Sequence, residues 1–157
     1  MQSPGKVQND GMDAWTAHLI AKLRGKHLLI VEDQPSLTEI FSKILDLCGV
    51  CVSQAESGKA ALQKVEAEPP DIILLDLGLP DMNGLDVAMR VRRNKKAKSV
   101  PIIAVSVTSD PRENCLRVGC NDFIVKPFAA SELLARMSSL CKLPVIRRRN
   151  TILLSQP

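Results

Sequence analysis

Five short apolar runs, separated by stretches of helical periodicity, constrain this chain more than any other feature. The runs are His27-Leu28-Leu29-Ile30-Val31, Val50 to Ser53, Ile72 to Leu75, Pro101 to Ser106, and Phe123-Ile124-Val125. Between the first two, Pro35 to Gly49 carries Leu37, Ile40, Phe41, Ile44, Leu45, Leu47 and Cys48 at spacings of three and four, the pattern of an amphipathic helix. Pro35 suits its first turn and Gly49 its stop. Ser57 predicts the cap of a second helix carrying Ala61, Leu62 and Val65, ended by Pro69-Pro70. Asn83-Gly84 opens a third, running to about Arg93, and Asp110-Pro111 a fourth, which Gly119 stops. Ser131 predicts the cap of a fifth, with Leu133, Leu134, Met137 and Leu140. The strand runs are continuously apolar rather than alternating, as expected when both faces of a sheet are covered. Strand–helix alternation of this kind predicts an α/β fold with a doubly wound, five-stranded parallel sheet, and right-handed crossovers place helices on both faces.

The third run raises a chemical question. Asp71-Ile72-Ile73-Leu74-Leu75-Asp76-Leu77-Gly78-Leu79-Pro80 brings an acid to the tip of a greasy segment. Burying an unpaired carboxylate costs several kcal/mol, so Asp76 belongs at a solvent-open end. In open parallel sheets ligands bind at the C-terminal ends of the strands. Glu32-Asp33, Asp76, Ser106 (with Val107-Thr108 beyond it) and Lys126-Pro127 all fall there. Three acids on one edge repel and resist ionising. A hard divalent cation resolves the conflict, and Mg2+ takes oxygen ligands while leaving room for a phosphate.

The stretches "LLIVEDQ", "PDIILLDLGLPDMNGLD", "PIIAVSV" and "NDFIVKPF", in this order and spacing over residues 26 to 142, resemble the receiver domains of two-component response regulators. The resemblance implies the flavodoxin-like (βα)5 fold shared with chemotaxis regulators and a Mg2+-dependent phospho-accepting switch. It implies that Asp76 accepts a phosphoryl group from a histidine kinase or phosphotransfer protein. It also implies that Asp33 and Asp76 bind the metal directly, Glu32 through water and Gly78 through its carbonyl. By the same resemblance Lys126 pairs with the phosphoryl oxygens across a cis Lys126–Pro127 bond, Ser106 supplies the hydroxyl that follows the phosphoryl group, and Phe123 is the aromatic that rotates inward with it. The output partner would meet the face made by the fourth helix, fifth strand and fifth helix of the repeat, and a homodimer is a further candidate assembly. Leu79 stands where methionine is common, a volume-conserving change. Val107 stands where a small residue is usual, and it is expected to shield the phosphorylated site and lengthen its lifetime.

Other functions fit less well. A haloacid-dehalogenase-like phosphohydrolase also uses a strand-end aspartate with Mg2+, but it needs a second acid two residues on, where Gly78 stands. Arg90, Arg92, Arg93, Lys95, Lys96 and Lys98, and separately Arg147 to Arg149, could bind nucleic acid. The first cluster closes a helix, where cations favour the dipole and stay solvated, and the net charge is only +4, so nucleic acid is not the expected partner. A single-domain receiver is expected, either a stand-alone regulator or a receiver excised from a hybrid kinase or a longer DNA-binding regulator. No apolar run reaches the ~20 residues of a membrane span, and the opening MQSPGKVQND lacks the apolar core of a signal peptide. A cytoplasmic protein is expected, with its five cysteines as reduced, buried thiols; Cys48-Gly49-Val50-Cys51 sits at the wrong end of a helix for redox chemistry. Residues 1–25 form an extension in which Trp15, Leu19 and Leu23 predict one more helix docked by that stripe, and 143–157 form a basic tail.

Overall fold

The computed structural model describes residues 13–141. The elements are α1 (Ala14–Leu23), β1 (His27–Val31), α2 (Pro35–Leu47), β2 (Cys51–Ala55), α3 (Gly58–Ala67), β3 (Ile72–Asp76), α4 (Gly84–Arg93), β4 (Ile102–Ser106), α5 (Arg112–Val118), β5 (Asp122–Val125) and α6 (Ala130–Leu140). The strands form one parallel sheet in the order β2-β1-β3-β4-β5. The doubly wound architecture expected from the sequence is therefore the one observed, and the switch in strand order falls at β1 and β3.

The continuous apolar runs divide between two cores by the two-residue period of a strand. Leu29, Val31, Ile73, Leu75, Ile102, Ala104 and Phe123 face α3, α4 and α5, against Ala61, Val65, Val87, Val91 and Cys115. Leu28, Ile30, Ile72, Leu74, Ile103, Val105 and Ile124 face α1, α2 and α6, against Leu23, Leu45, Leu133 and Met137. Each such aliphatic side chain contributes about 1.5–3 kcal/mol on burial, and β1, β3 and β4 contribute to both faces. This anchors the strand whose tip is Asp76.

Three local expectations shift. The second strand begins at Cys51, not Val50, and runs to Ala55 because it pairs along the whole of β1. As an edge strand it leaves Cys51 exposed, while Cys48, Cys115, Cys120 and Cys141 are buried; all five are free thiols. The fourth helix of the repeat starts at Arg112 with Pro111 at its cap and no side-chain cap, so Asp110 does not serve. Ser131 lies inside the first turn of α6, whose cap position is Ala129. By contrast, Ser57 Oγ does accept the Ala60 N–H, at 3.1 Å.

The extra helix is present. Asp13 caps it, accepting the Thr16 N–H at 2.6 Å. Leu19 and Leu23 are buried and α1 packs beside α6, where Lys22 Nζ donates to the Ser138 carbonyl at 2.7 Å. Trp15, expected on the packed stripe, is instead 56% exposed, because the helix meets the domain at its C-terminal half. Among the described residues no helix is long and apolar enough to cross a membrane.

Candidate functional site

The edge formed by the C-terminal ends of β1, β3, β4 and β5 gathers one ammonium and two carboxylates. Lys126 Nζ donates to Glu32 Oε2 at 2.6 Å and also to Asp76 Oδ2. The Gly78 N–H holds the other Asp76 oxygen at 2.7 Å, and the Gln34 N–H holds Glu32 Oε1 at 3.1 Å. Both acids are buried, so Asp76 lies at the mouth of the sheet but not free in solvent. The Lys126–Pro127 bond is cis.

One lysine shared by two acids sets their protonation. Burial and the hydrogen bond with Asp76 push the Glu32 carboxyl up to about 7, against the Lys126 ammonium and the Gln34 N–H. Burial also pushes Asp76 up, but its hydrogen bonds with Glu32, Lys126 and the Gly78 N–H outweigh this and hold it below the ordinary range. Burial lowers Lys126, and the hydrogen bonds it donates to Asp76 and Glu32 more than restore it. Asp76 is thus the ionised member and Glu32 the one that yields, as expected when two acids share a site with one positive charge.

The loop after β3 is packed tightly around the acid. A Cβ on Gly84 would come within 2.7 Å of the Asp76 carbonyl oxygen and of Leu77 Cα, so only glycine lets α4 start so close to the strand tip. Asp81, on the same loop, accepts the N–H groups of Gly58 and Lys59 at 2.8 and 2.9 Å, tying the loop to the start of α3.

The other expected residues are distributed around this core. Asp33 is exposed, outside the Glu32–Lys126–Asp76 group. Among the described residues no three acidic, histidine or cysteine side chains are gathered into a ready-made metal cluster, so the expected convergence of three carboxylates is a pair plus one neighbour. The donor set still fits a hard cation: it is all oxygen, and a Glu32 carboxyl near 7 marks a site short of positive charge. Ser106 is half-buried at the end of β4, and its Oγ accepts the Thr108 N–H at 3.3 Å. Phe123 is buried in the core facing α3, α4 and α5, so the ring expected to rotate inward is already inside. Val107, expected to shield the site, is 74% exposed at its rim.

Beside these groups lies a cavity of ≈ 340 Å³ bounded by the first turns of α2 and the loop between β5 and α6. Leu37, Phe41 and Phe128 form its outer wall, the two rings stacking with centroids 5.0 Å apart. Neither phenylalanine stood out in the sequence as a site residue. Phe41 reads as one more apolar position of a helix, and Phe128 as the residue after a proline.

The basic run also resolves. Arg92 is a structural tie: its guanidinium donates to the carbonyls of Gly119 (2.9 Å), Val100 (2.8 Å) and Lys98 (3.3 Å) and to Asn121 Oδ1 (2.8 Å). Arg90 and Arg93 are exposed.

Comparison with known proteins agrees with this geometry. The family model of the response regulator receiver domain matches residues 28–138. The phosphate regulon transcriptional regulatory protein PhoB of Pseudomonas aeruginosa is 33% identical over 120 residues, 75% of this chain and 52% of that protein. The transcriptional regulatory protein KdpE of Mycobacterium tuberculosis is 35% identical over 126 residues, 79% of this chain and 52% of that one. The chain thus spans about half the length of these curated relatives. Among solved structures, the receiver domain of a Pseudomonas aeruginosa sensor histidine kinase superposes with a TM-score of 0.70 at 32% identity, covering 74% of this chain and 98% of that one; it carries a magnesium ion coordinated in its active-site cleft. The chemotaxis response regulator CheY4 of Vibrio cholerae superposes with a TM-score of 0.69 at 27% identity, covering 73% and 98%.

Proposed function

Because the chain belongs to the response regulator receiver domain family, whose members are phospho-accepting regulatory switches, we propose that Asp76 is its phosphoacceptor and that the reaction depends on Mg2+. The supporting observation is the lysine bridge: Lys126 reaches Glu32 and Asp76 together at the strand-end edge, leaving Asp76 ionised and held by the Gly78 N–H. A carboxylate in that state is a competent nucleophile for an acyl phosphate.

Asp33, Asp76 and the Gly78 carbonyl would hold Mg2+, with Glu32 acting through water. When bound, the ion neutralises charge on the phosphoryl oxygens. Lys126 leaves the carboxylates to pair with the incoming phosphoryl group, a role its compact charge suits. Ser106 donates its hydroxyl to the same group, and Phe123 packs behind it. The donor is a histidine kinase or a phosphotransfer protein. The changed surface is the face of α5, β5 and α6, where Leu116 and Val125 are exposed apolar residues able to meet an output partner or a second copy. Arg92, tied to carbonyls of its own domain, is not free to meet nucleic acid there.

Incubation with acetyl phosphate and Mg2+, followed by intact mass measurement, tests the assignment. Wild type should gain one phosphoryl group, and EDTA should suppress the gain. An Asp76→Asn variant that is labelled as efficiently as wild type refutes it.

A further inference from the structure

We propose that the cavity beside Asp76 selects the small-molecule phosphodonor, favouring acyl phosphates with a short apolar chain over acetyl phosphate. The inference rests on Asp76 being the acceptor. The cavity is bipolar. Its charged groups, Glu32, Asp76 and Lys126, are bonded to one another and so form one cluster. The remaining wall is almost wholly aliphatic or aromatic: Ile30, Leu37, Phe41, Leu74, Val105 and Phe128 carry most of it. A volume of ≈ 340 Å³ lies at the small end of the range for ligand pockets, too large for a two-carbon group to fill. An occupant complementary to both parts has an anionic head for the Lys126 ammonium and a short hydrocarbon tail against Phe41 and Phe128. An acyl phosphate of about four carbons has both.

The chemistry balances without a further reactant. A carboxylate oxygen of Asp76 attacks phosphorus, the bond from phosphorus to the acyl oxygen breaks, and the acyl group departs as a carboxylate that needs no proton. The leaving carboxylates of acetyl and butanoyl phosphate are of nearly equal basicity, so intrinsic reactivity does not separate the donors. What separates them is burial of the tail. A buried methylene strengthens binding about fourfold, and two of them, allowing for incomplete burial, about tenfold.

The test compares acetyl, butanoyl and hexanoyl phosphate at equal subsaturating concentration with the full chain and Mg2+, reading the initial rate of phosphoryl mass gain. Butanoyl phosphate should label Asp76 about tenfold faster than acetyl phosphate. Leu37→Ser and Phe41→Ala should each cut that ratio to threefold or less. Ethylphosphonate and butylphosphonate, which cannot transfer phosphorus and also differ by two methylenes, give a second readout without reaction: in amide chemical-shift titrations the butyl compound should bind about tenfold tighter. Equal rates for all donors, with Asp76 still labelled, overturn the cavity assignment and leave the acceptor assignment standing. That is also the outcome if the cavity instead receives an apolar side chain of a protein donor. Failure of every donor to label Asp76 overturns both.

Discussion

Lys126 Nζ lies 2.6 Å from Glu32 Oε2 while the same ammonium bonds the Asp76 carboxylate, so one positive charge serves two buried acids. Glu32 bears the cost, its carboxyl standing at about 7 against an ordinary 4.5. The folded protein therefore holds a proton on Glu32 between these values that the unfolded chain has released. Stability from this group is complete below about pH 4.5 and is lost as pH rises through about 7. Denaturant titrations in EDTA at pH 5 and pH 8 should show wild type losing on the order of 2 kcal/mol more than Glu32→Gln over that interval. Parallel losses in the two proteins contradict the shared-charge account.

Arg92 closes the gap between α4, the start of β4 and the end of α5 with bonds to three carbonyls and one side-chain amide. Arg92→Leu should lower stability by about 2 kcal/mol, because partly buried acceptors lose their donor. Arg92→Lys should recover little of it, since an ammonium lacks the fork that spans four acceptors. Arg93→Leu, on the exposed side of the same helix, should stay within about 0.5 kcal/mol. Urea midpoints compare the three directly.

Leu23 is fully buried and Trp15 is mostly exposed, although both belong to α1. Leu23→Ala should cost about 3 kcal/mol and speed amide exchange through Ile20 to Leu23. Trp15→Ala should leave both nearly unchanged. A large effect from Trp15 would mean that the helix docks by its whole length.

Val107 stands at the rim with its side chain largely in solvent. A side chain that exposed adds little packing around Asp76. The half-life of the phosphorylated protein should therefore differ by less than about twofold between wild type and Val107→Ala, in saturating Mg2+ without a kinase. A tenfold shorter half-life, about 1.4 kcal/mol of barrier, would restore the shielding role.

The strands and the residues at their tips were legible because burial on both faces leaves a continuous apolar run and a functional group must break it. Glu32, Asp76 and Lys126 each follow such a run directly. What stayed hidden depends on packing between distant segments. Phe41 and Phe128 are 87 positions apart and gain meaning only when α2 meets the loop before α6. Arg92 looked like its basic neighbours because nothing local marks a guanidinium aimed inward. Asp110 and Ser131 are good cap residues in isolation, but the cap positions fall one residue later, at Pro111, and two residues earlier, at Ala129. Asp33 is adjacent to Glu32 in sequence, yet the two point to different environments, one exposed and one buried.

The docking of α6 has a consequence for wiring. Cys141, at its end, lies near Lys26 and Asp71, the residues that lead into β1 and β3. The end of α6 thus lies at the sheet edge opposite Asp76, roughly five strand residues or about 17 Å away. Asp76 and the C-terminal end of α6 sit at opposite poles of the sheet. A change at Asp76 reaches Cys141 only at second hand, as a change in how α6 and its neighbours lean on one another.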